Sequence, residues 1–342
     1  MVVGVSGYGY TGSTAFIQLL MEYKETELMF KKAEFIFPYE VDGLLDLDVH
    51  LNRIPSKQSK GDAAIARFLN LIEWNKNFWN KRTNGRFYDL SIDYINSLIQ
   101  VQYRSRREAT RRNNKFQMIY EKFIKVYQRK FEYATHIPLK FIREDVRYIS
   151  IYPDNFLDKT KGYISALIAS SKTREDCIPL IEQPFPPNNP EDVFPYFDDP
   201  YAIIVDRDPR DIYLIAKIAL KDGRFIPTAT VEDFVTYYRA VRKHRPDCDL
   251  KRVLRVSFED LVYNYEKTVK TIEEFLNIKN HVDMKKYFNP EISIRNTQMW
   301  KRFPEEKNNI EYIEEHLKEY LFTFPYDSVV ADKKELHEMS KW

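Results

Sequence analysis

Residues 2–20, VVGVSGYGYTGSTAFIQLL, constrain the fold more than any other stretch of the chain. A short apolar strand runs into a turn holding Gly7, Gly9 and Gly12. An amphipathic helix follows over about residues 12–24, with Ala15, Phe16, Leu19, Leu20 and Tyr23 on one face. A strand that turns on glycines into a helix aims free backbone N–H groups, and the positive end of the helix dipole, at whatever lies in front of it. The unit is a ready anion site. Three of only 9 glycines among 342 residues stand in this turn, so backbone freedom is concentrated there. The spelling fits GxGxxG, the dinucleotide fingerprint. It also fits GxxxxG-x-[ST], a phosphate loop in which Ser13 stands where lysine belongs. A loop for a phosphosulfate is a third possibility.

Composition narrows the partners. Charged residues make up 30% of the chain, yet the formal net charge is +2, so no global basic surface calls for nucleic acid and any anion site is local. The two cysteines, Cys177 and Cys248, are far apart and outside any ligand spacing. Neither a disulfide scaffold nor a metal site is expected, and a reducing compartment fits. No apolar run reaches membrane-spanning length, and the N-terminus reads as a strand rather than a signal peptide. The expectation is a cytoplasmic protein without a transmembrane segment.

Further along, AEFIF (33–37) reads as a second strand stopped by Pro38, and residues 38–61 as a loop with a possible short helix. From Asp62, placed as an N-cap, to about Phe131 the pattern is helical. Within it lies RSRREATRR, with Arg104, Arg106, Arg107, Arg111 and Arg112, read as a solvated helix end or a patch for an acidic acceptor or an anionic surface. YISALIA (163–169) and CIPLIEQ (177–183) are ambiguous apolar runs. YAIIV (201–205) reads as a buried strand, and Pro209 and Asp211 open the helix that follows it. Thr230 to Asp233 forms a capping box, and VLRVSFED supplies another strand. Alternating strands and helices imply an α/β fold: a three-layer sandwich around a mostly parallel central sheet. One domain over residues 1–342 is expected, with a helical insertion or lid at about 62–131.

Two downstream motifs carry a resemblance. YAIIVDRDPRDIYL resembles the 3′-phosphate-binding strand, turn and helix of sulfotransferases, and VLRVSFEDLVYNYEKTVKTIEEFLNI is similar to that family's later strand and helix. With the glycine turn they occur in the family's order and span most of the chain. The resemblance implies a P-loop-like nucleotide-binding fold and 3′-phosphoadenosine-5′-phosphosulfate (PAPS) as cofactor. It implies transfer of the sulfuryl group to a hydroxyl-bearing acceptor: a glycan, a glycolipid, or a small alcohol such as a sterol. It requires no metal.

Carried over residue by residue, the resemblance assigns Gly9, Tyr10, Thr11, Gly12, Ser13 and Thr14 to the 5′-phosphosulfate and Arg207 to the 3′-phosphate. Lys301 and Arg302, in MWKRFPEE, resemble a basic segment that closes over the cofactor, with Arg295 a weaker candidate. Arg210 and Asp211 read as helix-start capping with an ion pair or as ligand contacts, and Glu259 and Asp260 as structural. For the base that takes the acceptor's proton, Glu40 is favoured, His50 is the alternative, and Asp42 and Glu182 stay open. Two positions depart from the family. Tyr10 stands where the loop usually has Lys or Arg, and Ile215 where a serine usually follows the phosphate-binding arginine. The different-class alternatives are an NAD(P)-dependent oxidoreductase using GxGxxG, with an acid such as Glu40 for the ribose, and a nucleotide-binding protein without catalysis.

Overall fold

The computed structural model describes residues 1–55, 58–105, 115–132, 134, 145–219, 225–244 and 246–327. Among them are seven strands: β1 (Val2–Gly7), β2 (Thr26–Leu28), β3 (Val101–Ser105), β4 (Asp145–Ile149), β5 (Ile178–Glu182), β6 (Pro200–Asp206) and β7 (Val253–Ser257). Five of them form a parallel sheet in the order β2-β5-β1-β6-β7, and β3 and β4 form a separate antiparallel pair. The middle strand is buried along its whole length, as an apolar run covered on both faces must be.

Period-two alternation divides the sheet residues between two layers. Ile203 and Val205 of β6 join Val3 and Val5 beneath the helix Ser13–Leu20 (α1), packing with its Phe16, Ile17, Leu19 and Leu20 and with Leu261 and Ile272. Ala202 and Ile204 face the other way, into a layer built from Phe35, Phe37, Phe68, Phe87 and Tyr163. Each buried phenylalanine contributes about 1.5–3 kcal/mol of transfer free energy, so this aromatic layer is a principal part of the core. A third cluster ties the helices Pro209–Leu214, Val231–Val241 and Lys307–His316 together behind the loop that leaves β6.

Several expectations are met in place. YAIIV lies within β6, Asp208 caps the helix that Pro209 opens, and Thr230 Oγ1 accepts the Asp233 N–H at 3.1 Å. The two runs that are ambiguous in sequence differ: YISALIA belongs to the helix Phe156–Ser171, and CIPLIEQ holds β5.

Other expectations are corrected. Residues 33–36 belong to no strand and Phe37 begins a turn; Phe35 N–H reaches Glu182 O at 2.7 Å, while the edge strand is the short, more polar Thr26–Leu28. Asp62 is not an N-cap. It lies inside the helix Gln58–Asn80, buried, accepting from Arg147 Nε at 2.9 Å and from Tyr148 N at 3.0 Å. The 62–131 stretch is also not wholly helical: besides Gln58–Asn80, Phe87–Leu98 and Lys115–Tyr127 it contains β3. Arg106, Arg107, Arg111 and Arg112 lie outside the described residues; Arg104 is an exposed residue of β3.

The sheet order bears directly on the ligand. A dinucleotide fold of the common type pairs its second strand with its first. Here β5 is inserted between β1 and β2, so the chain leaves β1 toward one edge and leaves β6 toward the other. The carboxyl ends of β1 and β6, which are neighbours, form the switch point where ligands of open α/β sheets settle.

Candidate active site

A cleft of about 1130 Å³ opens at that switch point. Its floor is the glycine turn, with Gly7, Tyr8, Gly9, Tyr10, Gly12, Ser13 and Thr14 lining it. Gly9 and Gly12 hold φ of 93° and 86°, left-handed values that side chains rarely adopt, and Gly12 N-caps α1. Phe258 closes off the space at Gly12, where a Cβ would approach its ring to 2.6 Å. The turn is braced from β5 and its exit. Gly7 N–H donates to Gln183 Oε1 at 3.0 Å, Gln183 Nε2 donates to Ser13 Oγ at 3.2 Å, and Thr14 Oγ1 donates to Glu182 Oε1 at 2.9 Å.

Arg207, just beyond β6, is 7% exposed and lines the same cleft. Its guanidinium joins two walls, donating from Nη1 to Tyr10 O at 3.2 Å and from Nη2 to Asn296 O, and it lies over the Phe258 ring at 4.8 Å. Arg207 Nε is buried without a hydrogen-bond partner. An orphaned donor on a buried cation is costly unless an acceptor comes to it, so this arginine fits an anionic ligand.

The residues behind it are scaffold. Asp208 accepts from Arg210 N and Nε at 3.0 and 2.9 Å, Arg210 also pairs with Glu314 at 2.8 Å, and Asp211 accepts Gln298 N and Met299 N at 2.9 and 2.7 Å. Glu259 accepts the Asp208 N–H at 3.0 Å. Complete burial pushes the Glu259 carboxyl up to about 8, against the pull of Arg207, and pushes Asp211 upward for the same reason.

The remaining wall comes from residues 285–296, where Lys285, Lys286, Tyr287 and Arg295 line the cleft. One buried carboxylate holds this segment. Glu22, just past α1, accepts the N–H groups of Lys285, Tyr287 and Phe288 at 3.1, 2.8 and 2.9 Å, and meets His281 Nε2 at 2.7 Å. Opposite, Glu34 and Ile36 reach the cleft from the 33–37 segment while Ala33, Phe35 and Phe37 turn into the core. Glu34 also borders an adjoining recess of about 230 Å³ with Thr14, Gln18 and Glu182.

No protein-family model and no curated protein sequence matches the chain. Among solved structures, the sulfotransferase domain from the Synechococcus PCC 7002 olefin synthase aligns at 13% identity and a TM-score of 0.38, covering 100% of this chain and 94% of that one. The sulfotransferase domain from the curacin biosynthetic pathway aligns at 10% identity and a TM-score of 0.37, covering 100% and 97%. These structural neighbours are sulfotransferase domains.

The cleft therefore brings together Gly9, Tyr10, Gly12, Ser13, Thr14 and Arg207 from the sequence-derived set. Others lie elsewhere. Thr11 is buried, its Oγ1 packed against Gly7 rather than facing the cleft. Glu40 sits in the turn after Pro38 and His50 in the helical segment Asp48–Arg53; neither is among the described lining residues. Burial, helped by Asp42, raises the Glu40 carboxyl. Lys301 pairs with Asp327, and Arg302, 6% exposed, donates to Arg295 O at 2.6 Å; these two brace the 295–302 segment instead of lining the cleft. Arg295, the weaker candidate, does line it. Gln183, Glu34, Lys285 and Lys286 are additions. The signal for Glu34 was present, since alternation across AEFIF sets Glu34 and Ile36 opposite the three core residues.

Proposed function

We propose that the chain is a PAPS-dependent sulfotransferase that moves a sulfuryl group to an acceptor hydroxyl. The observation that supports this most is one cleft at the switch point lined by two anion-binding elements, the glycine turn after β1 and Arg207 after β6. A donor with a 5′-phosphosulfate and a 3′-phosphate needs two such sites. The orphaned Arg207 Nε, with Arg295 beside it in the lining, fits the 3′-phosphate, and Ser13, Thr14 and the turn's N–H groups fit the 5′ end. When bound, this donor supplies an activated sulfuryl group attached to a phosphate leaving group.

The chain's own residues do the rest. The turn and α1 fix the anion's position and favour negative charge at the helix N-terminus. Among the described residues Glu34 is the carboxylate that lines the cleft, bordering a recess with Thr14, and it takes the acceptor hydroxyl's proton in place of Glu40. Lys285 and Lys286 supply the positive charge that Tyr10 does not. A hydroxyl on a glycan, glycolipid or small alcohol remains the acceptor class.

Calorimetric titration with adenosine 3′,5′-bisphosphate and with NADP tests the reading. Binding of the bisphosphate without binding of NADP is expected, and the reverse result would overturn it. A second assay offers PAPS with a panel of hydroxyl acceptors; bisphosphate binding with no transfer to any of them would favour a non-catalytic nucleotide-binding protein.

A further inference from the structure

The helix Lys115–Tyr127 presents a surface that the cleft does not use. Phe116, Ile119, Tyr120, Phe123 and Val126 fall at helical spacing along one stripe, and all five are exposed, Phe116 at 83% and Ile119 at 65%. Beside the stripe, Ile124 is buried, at 0%. Scattered apolar side chains are normal on a protein surface, but a continuous stripe of five marks a contact surface.

The charge around the stripe says what the contact is. Residues 115–132 contain five Lys or Arg and two Glu. Lys122, Lys125, Arg129 and Lys130 are all exposed, the last two on the continuation Gln128–Glu132. At about 100° per residue, Lys122 borders the stripe on the Val126 side and Lys125 lies on the far face. An apolar stripe with aromatic residues, edged by lysine and short of acids, is the pattern of a helix lying in a membrane interface. Two copies of this chain meeting through the stripe would set like charges against each other, whereas anionic headgroups complement them. The helix has 13 residues, about 20 Å in length, and no helix among the described residues is long and apolar enough to cross a membrane.

We propose that this helix docks the protein sideways on a lipid surface rich in anionic headgroups, with Phe116, Ile119, Tyr120, Phe123 and Val126 immersed and Lys122, Arg129 and Lys130 against the phosphates. The contact is independent of the sulfotransferase reading and stands or falls without it.

Co-sedimentation of the full chain with vesicles tests the proposal. The wild type should bind phosphatidylcholine–phosphatidylglycerol vesicles and not phosphatidylcholine alone, and added salt should weaken the binding. Phe116→Ser/Phe123→Ser should cost at least about tenfold in partitioning, and Lys122→Gln/Lys130→Gln about tenfold or more. These side chains are exposed, so circular dichroism and melting of the variants should match the wild type. Equal binding to both vesicle types, or undiminished binding by Phe116→Ser/Phe123→Ser, would overturn the proposal. So would a wild-type dimer in analytical ultracentrifugation that the same double variant converts to monomer, because the stripe would then be covered by a second copy.

Discussion

Arg207→Gln separates a ligand-binding role from a structural one. In the structure Arg207 donates to Tyr10 O at 3.2 Å and to Asn296 O, so its removal frees two backbone carbonyls between the glycine turn and the 296–299 segment. At about 0.5–1.5 kcal/mol for each net hydrogen bond, the free protein should lose about 1–3 kcal/mol in urea unfolding. The ligand effect is larger and selective. A hydrogen bond to a charged group contributes about 1.5–3 kcal/mol, which at about 1.4 kcal/mol per tenfold weakens adenosine 3′,5′-bisphosphate about 10- to 150-fold. AMP lacks the 3′-phosphate, so its affinity should be nearly the same for wild type and variant. Titration calorimetry of both ligands on both proteins, at one ionic strength, reads the difference directly. If bisphosphate affinity is unchanged, Arg207 is a strut and nothing more. Should AMP weaken as much as the bisphosphate, the loss comes from a displaced glycine turn, and assignment of the 3′-phosphate to Arg207 fails.

Glu34→Gln should abolish sulfuryl transfer while leaving bisphosphate binding intact, whereas Glu40→Gln, off the cleft, should retain turnover; a paired steady-state and calorimetric measurement decides between the two carboxylates. Gly12→Ala should cost about 2–5 kcal/mol in urea unfolding, combining the left-handed penalty at φ 86° with the clash at 2.6 Å from Phe258; an unchanged midpoint would contradict that geometry. Glu259 tests the sign of a buried carboxyl. Its folded value near 8 lies above the ordinary 4.5, so the folded state holds a proton that the unfolded state has lost. Its contribution to stability is complete below pH 4.5 and is lost as pH rises toward 8. Glu259→Gln, which keeps the acceptor for Asp208 N–H, should flatten the fall in urea midpoint across that window, and an unaltered pH profile would count against a protonated Glu259.

Local chemistry made half of the site readable. The glycine turn, β6 and the helix that Pro209 opens are each specified by residues adjacent in the chain and stand where the sequence pattern sets them, with Arg207 following β6 in the cleft lining. Tertiary contacts decided the rest. AEFIF has the alternation of a strand, yet Thr26–Leu28 takes the ladder with β5, and the 33–37 segment only grazes it through Phe35 N. Glu40 follows Pro38, where the sequence pattern ends a strand, whereas Glu34, which lines the cleft, lies within the segment itself. Lys301 and Arg302 look free in sequence because their partners, Asp327 and Arg295 O, are set by folding. Lys285 and Lys286 belong to no motif. Tertiary contacts, among them the buried Glu22 accepting N–H groups from Lys285, Tyr287 and Phe288, bring them to the cleft.

That last connection bears on Tyr10. The turn holds Tyr10 at φ 55°, its carbonyl on Arg207 and its ring stacked on Phe225 at 5.0 Å, so this position braces the cleft instead of charging it. Positive charge must then arrive from other elements. Lys285 is paired with Glu291 at 3.0 Å and Lys286 with Asp283 at 3.1 Å, both between groups open to solvent. Such pairs are weak and exchange readily for a stronger anion, so the two lysines can turn to a bound phosphosulfate without breaking anything buried. Their backbone cannot drift with them, because Glu22 fixes it from the far end of α1, the helix whose N-terminus faces the anion. On the proposed reading, one short helix thus bears on both halves of the electrostatics: its first turn offers N–H groups, and the carboxylate past its last turn holds the backbone of the lysines that line the cleft.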